Sequence, residues 1–197
     1  MKRKITDIVD VQLGYQFRKR IEQVESGTNK VIQIRDFNQD LVLNKDALSW
    51  VRIDKPTDQY LVKKGDILFL SRGHKNWAAP IVADFKDTIV VSHFFVLRIK
   101  NSDVLPEYLA WYINQAPAQE YLHRNARRGT HMPLIPLSAF KGLTVEVPPI
   151  ETQKKIVDLT KLMEQEKKLL TELREKRSRL INTVSLKASK SNKEKTK

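Results

Sequence analysis

The 197-residue chain contains no cysteine. That excludes disulfides and thiolate metal sites, and it fits a reducing compartment. Glycine is scarce, at six residues. No Gly-Lys-Ser/Thr phosphate loop and no Gly-x-Ser-x-Gly nucleophile elbow can be found. The histidines, His74, His93, His123 and His131, include no pair at the helical spacing used by metal ligands. No apolar run approaches the roughly 18–20 residues of a membrane span. The opening Met1-Lys2-Arg3-Lys4 is not followed by the apolar core of a secretion signal. Cytoplasmic retention is the default expectation.

Positive charge is abundant. Lys and Arg outnumber Asp and Glu by 36 to 23, a net charge of +13. The excess points to an anionic partner: nucleic acid, an acidic protein or an anionic membrane surface. It is unevenly spread. Residues 1–150 hold 22 basic and 16 acidic side chains, whereas 187–197 hold 5 and 1. The globular part is moderately basic.

Residues 1–150 read as strand-rich. Val9, Val11 and Leu13 alternate with polar residues up to Gly14, and Val31 to Phe37 alternates again. Lys64-Gly65 turns into Asp66-Ile67-Leu68-Phe69-Leu70. Thr88–Val91, Phe94–Ile99 and Leu143–Val147 are rich in β-branched or aromatic residues. Pro106 opens a helix with Tyr108, Leu109, Trp111 and Tyr112 on its apolar side, since proline suits the first helical turn. A second helix is expected from about Pro117 to Ala126. Strands and helices in no strict βαβ order predict an α+β domain over 1–149.

No Gly or Pro follows Pro149. Ile156, Leu159, Met163, Leu170, Leu173, Leu180 and Val184 recur at steps of three and four, with Glu166 and Arg177 filling the two polar seam positions. This predicts one helix of about 30 residues, roughly 45–50 Å long, within 150–186, followed by a disordered basic tail at 187–197. The stripe suits a coiled-coil seam; the alternative is a surface helix folded back on the domain. An antiparallel pair of identical helices can set Glu166 opposite Arg177 of the second copy. The same register pairs Leu170 with Leu173, Met163 with Leu180 and Leu159 with Val184. Slipping by one heptad strands both charges inside the seam, at a cost of several kcal/mol. A homodimer is the expectation.

Three loops are basic and free of acids: 14–20, 71–77 and 124–132. Arg suits guanine, Asn and Gln suit adenine, and Ser, Thr or a backbone N–H suits phosphate. The alternative is that each cluster is an ordinary solvated loop. Arg18, Lys19, Arg20, Arg35, Arg72, Lys75, Arg124, Arg127 and Arg128 are candidates for phosphate or guanine contact. His74, Asn76, Thr130 and His131 are candidates for base-edge or backbone contact. Trp77 reads as a core or rim residue rather than a stacking platform. His93 reads as structural.

The segments KITDIVDVQLGYQFR, KKGDILFLSRG, SHFFVLRIK, LPEYLAWYINQ and ARRGTHMPLIPLSAFKGLTVEVPPIETQKKIVDLTKLMEQEKKLLTELREKRSRLI together resemble the specificity subunits of type I restriction–modification systems. The likeness reaches almost to the tail. It implies a non-catalytic subunit whose target recognition domain reads half of a split site in double-stranded DNA. Helices would set the distance between halves. Partner modification subunits would use S-adenosylmethionine, and a restriction subunit would use ATP and Mg²⁺; no cofactor is expected on this chain. Typical relatives carry two recognition domains and two helices, whereas this chain carries one of each, so a second copy or a different half would complete it. Pro148-Pro149 follows Val147 and lacks the polar residue of an amine-methylating motif. The alternatives are a coiled-coil adaptor without a DNA role, which would leave the three basic loops unexplained, and a Mg²⁺-dependent nuclease built on Asp66, Asp84 and Lys86.

Overall fold

The structure is a computed structural model that describes residues 1–54, 57–127 and 132–191. The chain divides into two units, Met1–Lys154 and Lys155–Lys197. In chain order the elements are β1 (Lys2–Lys4), α1 (Ile5–Ile8), β2 (Val9–Leu13), β3 (Asn29–Ile32), β4 (Ser49–Val51), β5 (Ile67–Leu70), β6 (Ala78–Pro80), β7 (Thr88–Val90), β8 (Phe94–Ile99), α2 (Pro106–Ile113), α3 (Ala116–Arg124), α4 (Leu137–Lys141), β9 (Thr144–Glu146) and α5 (Ile150–Ser191). The α+β expectation holds.

An antiparallel sheet in the order β2-β8-β5-β6 forms the centre of the first unit. Ile67–Leu70 of β5 and Phe94–Leu97 of β8, its two inner strands, are continuously apolar and buried, the pattern of strands covered on both faces, before Arg98 breaks the run in β8. Leu68, Leu70, Phe94 and Val96 join a core cluster with Val31, Ile32, Ile89 and Val90 from the second sheet. That sheet has the order β4-β3-β7, with β3 antiparallel to β4 and parallel to β7. On the opposite face, Phe69 and Phe95 meet Phe140 of α4 at ring-centroid distances of 4.6 and 5.5 Å. All three phenylalanines are buried, each side chain contributing about 1.5–3 kcal/mol by leaving water.

Local chemistry explains the turns. Gly65 takes φ +90°, a conformation open to glycine. The Asp66 carboxylate accepts the Lys63 N–H at 2.9 Å and the Arg98 guanidinium at 3.2 Å. Asp66 is buried and Arg98 half-buried, so losing this charged partner costs on the order of 1–3 kcal/mol. Both Asp66 oxygens are therefore engaged in holding the turn before β5, while Asp84 and Lys86 are exposed. The nuclease reading loses its central carboxylate.

Several expected boundaries move. β3 ends at Ile32, and a 3-10 turn at Ile34–Asp36 replaces the strand expected through Phe37. There the buried Asp36 carboxylate captures the Gln33 N–H at 2.7 Å, a local bond that competes with the ladder. Burial raises the Asp36 pKa against the opposing pull of the Gln33 N–H and the Arg35 charge. The β2 alternation buries only Val9; Leu13 is exposed, because β2 lies at the edge of its sheet. α2 buries Tyr108, Leu109, Ala110 and Ile113, leaving Trp111 and Tyr112 half-buried. The second expected helix is α3, Ala116–Arg124.

The C-terminal helix α5 has 42 residues, about 63 Å at 1.5 Å per residue. Its first turn belongs to the first unit. Gln153 is fully buried there, accepting from the Leu105 N–H at 2.9 Å and donating to the Asp103 and Pro148 carbonyls. Lys187–Ser191, expected as loose tail, are helical; 192–197 lie outside the described residues.

Candidate nucleic-acid interface

The sheet register brings the basic loops to one end of the first unit. Leu13 of β2 pairs with Phe95, and Leu70 of β5 pairs with Phe94. Loops 14–20 and 71–77 therefore leave from the same end, on either side of the start of β8. The tripeptide Val91-Ser92-His93 ties them together. Tyr15 donates to the Val90 carbonyl at 2.7 Å, and Ser92 donates to the Tyr15 carbonyl at 2.9 Å. Ser71 donates to the His93 carbonyl through its N–H at 2.9 Å and its hydroxyl at 2.8 Å. Gly14 permits the approach: a Cβ there would stand 2.3 Å from the Val91 carbonyl oxygen.

Two more elements reach this end. The Val91 N–H donates to the Ile32 carbonyl at 3.1 Å, so the turn carrying Arg35 follows β3 to the same place. Phe37, one residue past that turn, meets Trp77 edge-on at 4.8 Å, and Trp77 meets Phe94 at 5.4 Å. Trp77 is thus a half-buried rim residue, as expected. The third loop is fastened to the second through 133–135. Arg127 and Leu134 exchange backbone bonds of 2.9 and 3.3 Å, while Gly73 donates to Pro133 at 3.1 Å and Ile135 donates to Ser71 at 2.8 Å.

Arg18, Lys19, Arg20, Arg35, Arg72, His74, Lys75, Arg124 and Arg127 all expose their side chains. Arg35 rests against the Ser49 hydroxyl at 3.3 Å and Asp36 at 4.0 Å. Arg124 lies 4.0 Å from the Glu120 carboxylate. Asn76 is half-buried and donates its amide to the Leu70 carbonyl at 2.9 Å, which commits that group to shaping the loop. Arg128, Thr130 and His131 lie outside the described residues. Burial first, then the Arg72 charge, holds the His93 imidazole below its ordinary pKa, so it adds no charge to this end at neutral pH.

Residues that assemble the interface escaped the sequence reading: Ser71, the backbone of Val91–His93, and Pro133–Ile135. None carries charge, and their role rests on backbone bonds. Gly14 alone carried a signal, because a glycine ending a strand marks close backbone approach.

On α5, Leu159, Met163, Leu170, Leu173, Leu180 and Val184 are between 52% and 69% exposed, and Glu166 and Arg177 are exposed beside them. Leu162, Leu169 and Ile181 flank this seam and are equally open. The apolar surface is wider than a two-helix seam needs.

A family model for the type I restriction modification DNA specificity domain matches residues 1–176. The specificity subunit of the type I restriction enzyme HindI from Haemophilus influenzae is 32% identical over 115 residues, covering 57% of this chain and 25% of that subunit. The S subunit of a type I restriction–modification system from M. genitalium overlays with a TM-score of 0.55 at 16% identity, over 84% of this chain and 39% of that one. The HsdS subunit from Thermoanaerobacter tengcongensis overlays with a TM-score of 0.57 at 14% identity, over 88% of this chain and 44% of that one. At those identities the overlays show the fold. The chain spans a quarter of the length of the curated relative and under half of each solved subunit.

Proposed function

The chain belongs to the family of type I restriction modification DNA specificity domains, and from that premise we propose that its first unit reads one half of a split site in duplex DNA. The observation that carries this reading is the gathering of three acid-free basic loops at one end of the β2-β8-β5 sheet. Arginine and lysine there neutralise phosphates and reach base edges. The role is binding rather than catalysis. Separate modification subunits supply S-adenosylmethionine and flip the target adenine from the duplex, and a restriction subunit supplies ATP- and Mg²⁺-dependent cleavage. The assembly works in the cytoplasm.

α5 acts as spacer and dock. Its heptad seam pairs antiparallel with a second copy, Glu166 against Arg177, to give a two-fold dimer that reads a symmetric, interrupted site. The flanking Leu162, Leu169 and Ile181 offer further apolar surface to the modification subunits. Methylation sequencing of host DNA with and without the gene tests the proposal. The expected result is a two-part adenine-methylation motif, symmetric about a fixed gap, that disappears with the gene. An unchanged methylation pattern overturns it.

A further inference from the structure

Arg72, Leu134 and Arg127 stand abreast on a small ladder. Leu134 is bridged antiparallel to Arg72 on one side and to Arg127 on the other. Arg127 and Leu134 exchange both backbone bonds, the signature of a hydrogen-bonded pair. The bonds from Gly73 to Pro133 and from Ile135 to Ser71 bracket Arg72 and Leu134, making them a non-hydrogen-bonded pair. Directly opposed residues project from the same face of a ladder. Burial agrees: Ser71, Gly73 and Ile135 are buried on one face, whereas Arg72 and Arg127 are exposed and Leu134 is half-buried on the other. Cα separations of about 4.5 and 5.5 Å for the two pair types place the arginine backbones about 10 Å apart, with the leucine between them.

Two of the other candidate arginines have a carboxylate beside them. Arg35 and Arg124 lie beside Asp36 and Glu120, whereas among the described residues Arg72 and Arg127 form no ion pair. We propose that this ladder is the base-reading element of the domain. Arg72 and Arg127 each take the O6/N7 edge of a guanine in the major groove, and Leu134 meets the C5-methyl of a thymine between them. The assignment rests on the duplex-reading function proposed above and narrows it. Phosphate contact would use the two guanidinium groups but would leave the apolar side chain fixed between them without a partner. Base edges use all three, because the major groove presents both the guanine acceptors and the thymine methyl. The spacing of about 10 Å corresponds to roughly three base steps at 3.4 Å each.

The test is methylation sequencing of cells carrying the full-length gene as wild type, Arg72→Ala, Arg127→Ala, Leu134→Ala or Leu134→Met. The wild-type half-site is expected to hold two G·C pairs about three steps apart with an A·T pair between them. Each arginine variant relaxes one G·C position, raising methylation at sites with another base there on the order of 10- to 100-fold relative to the original base. Leu134→Ala relaxes the A·T position alone, and Leu134→Met, which keeps the apolar bulk, preserves the motif. A motif unchanged in all variants, with only the extent of methylation falling, assigns the arginines to phosphates and overturns the ladder while the duplex-reading function stands. A wild-type gene that adds no motif to the host defeats that function itself.

Discussion

Leu68 on β5 is fully buried between two layers of the first unit, whereas Leu170 on α5 is 58% exposed. The contrast extends to the whole of each region. The inner strands of the sheet cover both of their faces with side chains from the same unit, through the cluster around Ile32 and Val90 on one side and Phe140 on the other. From Leu159 to Leu186, ten large apolar side chains of α5 remain open. Covering each would contribute about 1.5–3 kcal/mol. One region completes its apolar contacts within itself. The other leaves them open, and its exposed stripe exceeds what scattered surface leucines account for.

Charge reversal on the seam offers the largest effect with which to break this contrast. Arg177→Glu sets a second carboxylate against Glu166 at two symmetric layers of the proposed dimer. At about 3–5 kcal/mol for a buried pair left unmatched, dimer affinity should fall by three orders of magnitude or more, with the melting of the first unit unchanged. Adding Glu166→Arg should restore the dimer, as read by light scattering; a double variant that stays monomeric refutes the register. A smaller effect is expected from the opposite region. Phe69→Ala removes a ring packed against Phe95 and Phe140 and should cost the first unit about 3–5 kcal/mol in chemical denaturation. Leu170→Ala should leave that unit within about 0.5 kcal/mol of wild type. Equal losses for the two variants would erase the distinction.

The smallest effect sharpens the comparison through pH. The buried Tyr108 phenol donates to the Glu146 carbonyl at 2.6 Å. Burial, then the neighbouring Tyr112 and Glu146, push its pKa up to about 12 from an ordinary 10. Because the folded value is the higher one, the protonated phenol favours the fold below pH 10, and that contribution is lost as pH rises toward 12. Tyr108→Phe should cost about 1 kcal/mol at neutral pH and flatten the alkaline loss of stability. A variant with the wild-type alkaline profile would locate that loss elsewhere.

The legible parts of this fold are those whose cause is local. Gly65 before an apolar run announced β5, Pro106 announced α2, and the three-four recurrence of leucines announced α5. β4 and β6 went unread because Ser49-Trp50-Val51 and Ala78-Ala79-Pro80 are three residues each and owe their strand form to the partners beside them. The strand expected through Phe37 failed because Asp36 bonds backward to Gln33 instead of leaving that N–H to a ladder. Among the site residues, exposure was readable from charge, but the commitment of Asn76 to the Leu70 carbonyl was not.

By itself the sequence determined that there would be a basic strand-rich domain, a long helix with a heptad seam and three acid-free loops, since composition and periodicity are properties of neighbouring residues. Only the tertiary structure decided that those loops share one end of a sheet and that Arg72 and Arg127 flank Leu134. That arrangement depends on the pairing of β2, β8 and β5 and on backbone hydrogen bonds between segments far apart in the chain. Backbone donors and acceptors are the same at almost every residue, so such a meeting leaves no mark in the side chains that a sequence records.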